Sequence, residues 1–424
     1  MKTLYNAALL PLQAASVVFG AWPRGSPAAT LERDQRLARR LPALPPGALW
    51  IHGASVGEAR IVGSLASEIR ARRPAQLLAA SAVTATGRAQ LPSPPAVDAA
   101  FFLPLDFTAV QRRAFGAVAP AMIVLVETEL WPNLLDEARA RRVPVAIVNG
   151  RLAPERLARY RRLAALYRPL LRGLDAIGVA GPEEAARFIA LGVPERAVTI
   201  TGNLKFDLPA PLESESALRA RFGVAAGRAV VAAGSTGEGE DEPVLDAFVE
   251  ARHEVPELLL VLAPRHPERF ESAADAVRRR GLSLARVSSG EAVLTADVLL
   301  VDTVGQLAGL YAMASSAFVG GSLVRVGGHN LLEPIAAGVP VAFGPHTHHV
   351  AEIASALGAA GCGERVDDAA ALGRLWARLA ASPDERARRV EAGRAFLEAH
   401  RGSLKRSVDL VLGVFDKRVA GRTA

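Results

Sequence analysis

Phe318–Pro345 reads FVGGSLVRVGGHNLLEPIAAGVPVAFGP, and its order is that of a nucleotide-handling loop. The apolar run before Gly320 suits a buried strand, Gly327 and Gly328 let a backbone approach a ligand closely, and Asn330 suits the cap of a helix through Ala337. A second strand follows over Val339 to Phe343. The first turn of such a helix offers unpaired N–H groups and the positive dipole end to a phosphate, while Asn330 and Glu333, three apart, share one face. Glu333 is then placed to grip ribose hydroxyls. The same pattern also fits a plain β-loop-α-β unit whose glycines serve only turns.

Outward from this stretch, short apolar runs alternate with helical segments. ALWIHGAS, QLLAASAV, AAFFLPLD, MIVLVETE, VPVAIVNG, AIGVAG and AVTITGN occupy the first half, and VVAAGS, LLLVLAP, VLLVD, AFVGGS and VPVAFG the second. This βα alternation predicts two α/β, doubly wound, mostly parallel (Rossmann-like) domains facing a cleft. The proline- and charge-rich stretch FDLPAPLESESALRAR interrupts the pattern. The expected boundaries are therefore 25–206 for the first domain, 207–215 for a linker, 216–400 for the second domain and 401–424 for a C-terminal helix and tail. In the second half Ser235, Arg265, the Thr303–Leu307 turn, the Gly320–Asn330 loop and Gly344 each follow a strand at once, so all are expected on one sheet edge. That convergence disfavours the reading in which the glycines serve turns alone. GSTGEGED lacks the G-x-G-x-x-G spacing of a dinucleotide fingerprint, and no G-x-x-x-x-G-K-[ST] loop occurs.

The chain has 424 residues, too many for one ordinary core, and half of them are hydrophobic. Its single cysteine, Cys362, excludes an internal disulfide framework and a thiolate metal cluster. The formal charge of +7 comes almost entirely from dispersed arginines, which points to anionic partners. With 5% aromatics and no zinc-finger or aromatic-basic signature, nucleic acid is not expected; membrane lipid or a phosphorylated small molecule fits better. From Leu4 to Trp22 no charge occurs, and Arg24, Arg33, Arg36, Arg39 and Arg40 follow. Residues 1–24 therefore read as a membrane anchor with the remainder on the cytoplasmic side, the alternative being a buried first helix.

Several positions bear chemistry. WIHGASVGEAR places Glu58 beyond a strand and a tight turn that also carries Ser55, where a carboxylate serves as a general base or as N-terminal helix stabilisation. VLVETELWPN puts Glu127 and Glu129 at the end of an apolar strand, on one face if the strand period of two continues. Of only four lysines, Lys205 alone lies away from the ends, as if an ammonium rather than a guanidinium were required there. Asparagine is equally scarce, and beyond Asn6 each one, Asn133, Asn149, Asn203 and Asn330, sits in a candidate motif. Arg265 and His266 follow a strand and suit a leaving phosphate, with the hydroxyls of Ser235 and Thr236 beside them. His346, His348 and His349 lack a further ligand at metal spacing and read as loop packing or substrate contact. Arg151 to Arg172 reads as one arginine-rich helix, either on an anionic membrane surface or plainly solvated.

WIHGASVGE, VETELWPN, NGR, GNLKFD, GSTGEGE, APRHPERF and GGHNLLEP, in this order, resemble the 3-deoxy-D-manno-octulosonic acid (Kdo) transferases of lipopolysaccharide biosynthesis. The resemblance spans nearly the whole chain. It implies a GT-B glycosyltransferase with an N-terminal anchor, at the cytoplasmic face of the inner membrane and against its anionic surface. It would move Kdo from CMP-Kdo onto the lipid A precursor (lipid IVA) with inversion, and with neither metal nor cofactor. Residue by residue, the resemblance implies Glu58 as general base and Glu127 and Lys205 as transition-state stabilisers. It implies CMP contacts at Pro264 and Arg265, at Gly305, Gln306 and Leu307, and at Asn330, Leu331, Leu332 and Glu333. Ser55, Glu129, Ser235, Thr236, His266 and Gly328 flank these positions as further candidates. The chain departs from the family pattern at PHTHH and at Gln306, where a glutamate is usual. Another GT-B transferase using a UDP-sugar, or a membrane-tethered nucleotide-sugar binding protein without turnover, are the competing readings.

Overall fold

The computed structural model describes residues 26–152, 154–207, 213–290 and 292–423, with residues 3, 5–9 and 11. Most of the expected anchor, and residues 208–212 of the expected linker, lie outside the described residues. Among the described residues no helix is long and apolar enough to cross a membrane. The chain divides into two compact units, Met1–Asp207 with Arg401–Ala424, and Leu208–His400.

In the first unit every apolar run becomes a strand: β1 (Ala48–His52), β2 (Leu78–Ala82), β3 (Ala99–Phe102), β4 (Pro120–Val126), β5 (Val145–Gly150), β6 (Ala176–Val179) and β7 (Val198–Ile200). They form one parallel sheet in the order β3-β2-β1-β4-β5-β6-β7. Continuous apolar runs rather than alternating ones are required because helices cover both faces. Leu49, Ile51, Val124 and Val148 pack on one face with Val62 and Leu65 of the helix Val56–Arg72. Trp50, Ile123, Leu125 and Ile147 fill the other. Trp50 is fully buried, its ring centroid 5.5 Å from Phe101 and 6.0 Å from Phe115, and its indole N–H donates to Ser81 Oγ at 2.8 Å.

The C-terminal helix Ser403–Thr423 belongs to this unit, with Val408 and Val411 buried in the same core as Leu49 and Ile51. Asp207 caps its start by accepting the N–H groups of Gly402, at 2.9 Å, and Leu404. Where one helix is expected over Arg151–Arg172, two form, Pro154–Arg162 and Ala164–Leu171, the break falling at Leu163.

The second unit repeats the plan with β8 (Val230–Thr236), β9 (Leu259–Pro264), β10 (Leu284–Arg286), β11 (Val298–Leu300), β12 (Ser316–Val319), β13 (Val341–Phe343) and β14 (Gly363–Arg365). Their order is β10-β11-β9-β8-β12-β13-β14, again all parallel. The two outermost strands, β10 and β14, are three residues long and carry no apolar run, so periodicity does not reveal them. β13 begins at Val341 rather than Val339, because the Val339 N–H turns back to the Pro334 carbonyl and Pro340 has no N–H to contribute.

Strand order reverses between β1 and β4 in the first unit and between β8 and β12 in the second. In open parallel sheets the crevice beyond the strand ends at such a switch point is where ligands bind.

Candidate active site

At the switch point of the first unit, β1 runs out at His52 and the chain turns through Gly53 into the helix Val56–Arg72, with Ser55 at its cap. A Cβ on Gly53 would stand 2.9 Å from Glu58 Cβ and 3.0 Å from its carbonyl, so only glycine lets the helix start this close to the strand. The Glu58 carboxylate folds back over the turn: Oε2 accepts the Ala54 N–H at 2.6 Å and Oε1 accepts the Ser55 hydroxyl at 2.9 Å. This departs from a capping box, in which the serine itself would accept a helix N–H; here Ser55 bonds the carboxylate instead. Burial raises the Glu58 pKa and the Glu127 charge adds to it, while the bonds from Ala54 and Ser55 and the Lys205 charge oppose the rise.

Glu127 follows β4 directly and adopts a left-handed backbone, φ 61°, with its N–H on the Val148 carbonyl at 2.9 Å. Because the strand ends at Val126, the period of two does not extend to Glu127 and Glu129, and the expected shared sheet face does not arise. Proximity arises another way. Glu127 Oε1 stands 3.6 Å from Lys205 Nζ. Glu129 accepts the Trp131 indole N–H at 3.0 Å, and burial, helped by the charges of Glu58 and Glu127, pushes its pKa up to about 7. Glu58, Glu127, Glu129 and Lys205 are thus one electrostatic group.

The scarce asparagines explain how Lys205 is held. Asn149, fully buried and left-handed with φ 54°, accepts the Leu204 N–H through Oδ1 at 3.0 Å. Asn203 caps the short turn Leu204–Phe206 by accepting the Lys205 N–H at 3.0 Å. Consecutive residues at the end of β5, Val148 and Asn149, therefore anchor the backbones of the two partners. Asn133 serves elsewhere: its side chain donates to Asn6 Oδ1 at 2.8 Å and to the Asp106 carbonyl at 2.6 Å.

In the second unit the sequence-predicted positions do gather at the carboxyl ends of the strands. Pro264 ends β9 and Arg265 follows; Gly305, Gln306 and Leu307 lie beyond β11; Asn330 to Glu333 lie beyond β12. Gly305 has φ 91°, a conformation few other residues adopt. Asn330 orients this last group, accepting the Leu332 N–H at 3.1 Å and donating to Glu333 Oε1 at 3.1 Å. The helix it precedes is shorter than expected, Leu332–Ala336, with Leu331 at the cap. Gly327 and Gly328 donate their N–H groups to the Gly321 carbonyl at 2.9 and 2.7 Å.

Ser235 is left-handed, φ 56°, and the Thr236 hydroxyl donates to Asp241 Oδ1 at 2.7 Å, so its proton is committed within the protein. Arg269 completes that contact, bonding Asp241 and, at 3.0 Å, the Thr236 carbonyl. His266 is exposed beside Arg265. The His348 and His349 rings stack edge to face, centroids 4.4 Å apart, and the His349 N–H donates to the Gly327 carbonyl at 2.9 Å. Among the described residues no three histidine, cysteine or acidic side chains are grouped to hold a metal ion.

Sequence reasoning missed two residues here. His329 packs against Gly321, and burial, reinforced by the Arg265 charge, holds its pKa below the ordinary imidazole value. Glu240, fully buried, accepts four backbone N–H groups, from Gly237, Gly321, Ser322 and Leu323. The available signal was the acidic run in GSTGEGED, which makes sense only once β8 and β12 are known to be neighbours.

A family profile described as "3-Deoxy-D-manno-octulosonic-acid transferase (kdotransferase)" matches residues 30–208. The 3-deoxy-D-manno-octulosonic acid transferase of Bordetella pertussis is 38% identical over 403 residues, covering 92% of this chain and 92% of that one. The transferase of the same description from Haemophilus influenzae is 34% identical over 382 residues, covering 88% and 89%. A glycosyltransferase from Rickettsia africae, 10% identical, matches in structure with a TM-score of 0.56 over 89% of this chain and 99% of its own, a likeness of fold.

Proposed function

We propose the following reaction for this chain, which belongs to the 3-deoxy-D-manno-octulosonic acid transferase family and is a glycosyltransferase of the GT-B fold: transfer of Kdo from CMP-Kdo to a hydroxyl of the lipid A precursor, lipid IVA, with inversion. The acceptor oxygen attacks the anomeric carbon, Glu58 takes the hydroxyl proton, the bond to the CMP phosphate breaks, and CMP leaves with the electron pair. A carboxylate pushed upward by burial yet held by two hydrogen bonds suits that base, since it is oriented before the acceptor arrives.

The observation that carries the proposal is the grouping of Glu58, Glu127 and Lys205 at the switch point of the first sheet. Positive charge develops on the sugar and negative charge on the phosphate as the bond breaks, and fixed charges placed for that moment lower the barrier. Glu127 meets the first, and Lys205, 3.6 Å from it, offers an ammonium to the anionic donor. In the second unit Pro264, Arg265, Gly305, Gln306, Leu307 and Asn330 to Glu333 hold CMP, with Glu333 on the ribose. His266, Ser235 and Gly328 border that site, Ser55 and Glu129 the base. No metal takes part in this scheme, so transfer persists in EDTA.

A lipid acceptor places the enzyme at the cytoplasmic face of the inner membrane. The uncharged stretch Leu4–Trp22 with the arginines after it supports an anchor, and the net charge of +7 supports contact with anionic lipid. Mass spectrometry of the product formed from CMP-Kdo and lipid IVA tests the reaction and counts the sugars added. A Kdo-bearing lipid that fails to form with UDP-sugars, and fails in E58A while E58A still binds CMP, is the expected result. Transfer by E58A, or turnover of a UDP-sugar in place of CMP-Kdo, overturns it.

A further inference from the structure

We propose that Glu240 is a positioning residue of the donor site: its carboxylate is a built-in anion that fills the N–H nest between the ends of β8 and β12 and thereby sets the loop carrying Gly328, Asn330 and Glu333. The proposal rests on the reading above, in which the second unit holds CMP. Oε2 accepts the N–H groups of Gly237 and Gly321, both at 2.6 Å, and Oε1 those of Ser322 and Leu323, at 3.0 and 2.9 Å. Converging backbone N–H groups at a switch point are ordinarily where a phosphate binds. Here that place is taken from within. The donor phosphate is consequently left to the neighbouring Arg265 and His329 rather than to the nest.

Two features make the arrangement specific. A Cβ on Gly320 would lie 2.7 Å from Glu240 Oε2 and 2.5 Å from the Ser235 carbonyl, so the loop reaches the carboxylate only with glycine there. Gly321 then transmits the constraint: its N–H is held by Glu240, and its carbonyl accepts the N–H groups of Gly327 and Gly328. The loop is folded back on itself, and Asn330, two residues on, is delivered to Glu333. A buried carboxylate is costly unless its lone pairs are matched, and four N–H donors match them. Glutamine fills the same volume but turns an amide NH2 toward two of those donors.

The test is calorimetric titration of CMP into the full chain and its variants, with folding followed by circular dichroism. Wild type binds CMP. E240A binds it at least about tenfold more weakly, a loss of about 1.4 kcal/mol, and sodium acetate restores affinity where sodium chloride of equal ionic strength does not, because acetate refills the nest. KM for CMP-Kdo rises while KM for the lipid acceptor stays. E240A with wild-type CMP affinity, or folded E240A that acetate does not rescue, overturns the proposal. If E240A does not fold, E240Q carries the test, and unchanged CMP affinity in E240Q overturns it equally. Wild type that fails to bind CMP overturns the donor reading itself, and the proposal with it.

Discussion

The Lys205 ammonium stands 3.6 Å from Oε1 of Glu127, and both residues are hung from the end of one strand. The Val148 carbonyl takes the Glu127 N–H and the Asn149 side chain takes the Leu204 N–H, so the pair is set by backbone anchors rather than by its own attraction. A partly exposed ion pair adds little to stability, on the order of 0–1 kcal/mol. Its value is therefore expected in the rate and not in the fold.

Replacing Lys205 by methionine removes the charge and keeps most of the stem. The kcat for Kdo transfer is expected to fall about 10²-fold or more, with a change in melting temperature of only a few degrees. K205R restores only part of the rate, because a planar guanidinium does not reproduce a compact ammonium. Steady-state kinetics on both variants checks this.

Asn149 is expected to govern the same pair from a distance. N149G keeps access to the left-handed backbone but loses the acceptor for the Leu204 N–H, whereas N149A loses both. An unmade buried hydrogen bond costs roughly 1–3 kcal/mol, and kcat is expected to fall in the order wild type, N149G, N149A, with CMP affinity measured by calorimetry unchanged.

The acid limb of the pH profile is expected to report Glu58, the proposed base. The base must be ionised, so kcat/KM falls as pH drops through a pKa that burial has raised above the ordinary 4.5. The Ser55 hydroxyl opposes that rise. S55A therefore moves the limb to higher pH, and E58Q abolishes transfer at every pH while retaining CMP binding.

Glu129 writes its own signature on stability. Its folded pKa of about 7 lies above the ordinary 4.5, so the folded state keeps a proton that the unfolded chain releases between those values. Its contribution is present in full below about pH 4.5 and is lost as pH rises to about 7. Melting temperatures across that range should decline in wild type relative to E129Q.

Gly53 is expected to tolerate no side chain. In G53A the new methyl meets Glu58 Cβ at 2.9 Å and must displace the first turn of the helix. Overpacking of this kind costs about 1–3 kcal/mol, and kcat should fall by more than stability alone explains, because the displaced group is the proposed base. Paired measurements of melting temperature and turnover decide it.

Much of this architecture was legible in the chain. Among the described residues, twelve of the fourteen strands coincide with apolar runs, and those in the sheet interiors are apolar because helices cover both faces. The two that do not, β10 and β14, are short edge strands whose only strong signal is pairing with a neighbour. Glu58, Glu127, Lys205 and the Asn330–Glu333 stretch stood out because residue type and position after a strand are local properties. The grouping of Glu127 with Glu129 was expected for the wrong reason, strand periodicity, because the left-handed turn at Glu127 is not encoded in any spacing.

Sequence by itself determined the succession of the apolar strands, the edge on which their loops lie, and the family to which the motifs point, all of which follow from patterns within a few residues. Only the tertiary structure decided which strand ends are neighbours. Sheet order put β1 beside β4 and β8 beside β12, and returned the last helix to the first unit, so that Glu240 met Gly321 and Asn149 met Leu204. Those contacts join residues far apart in the chain, and a hydrogen bond depends on distance in space.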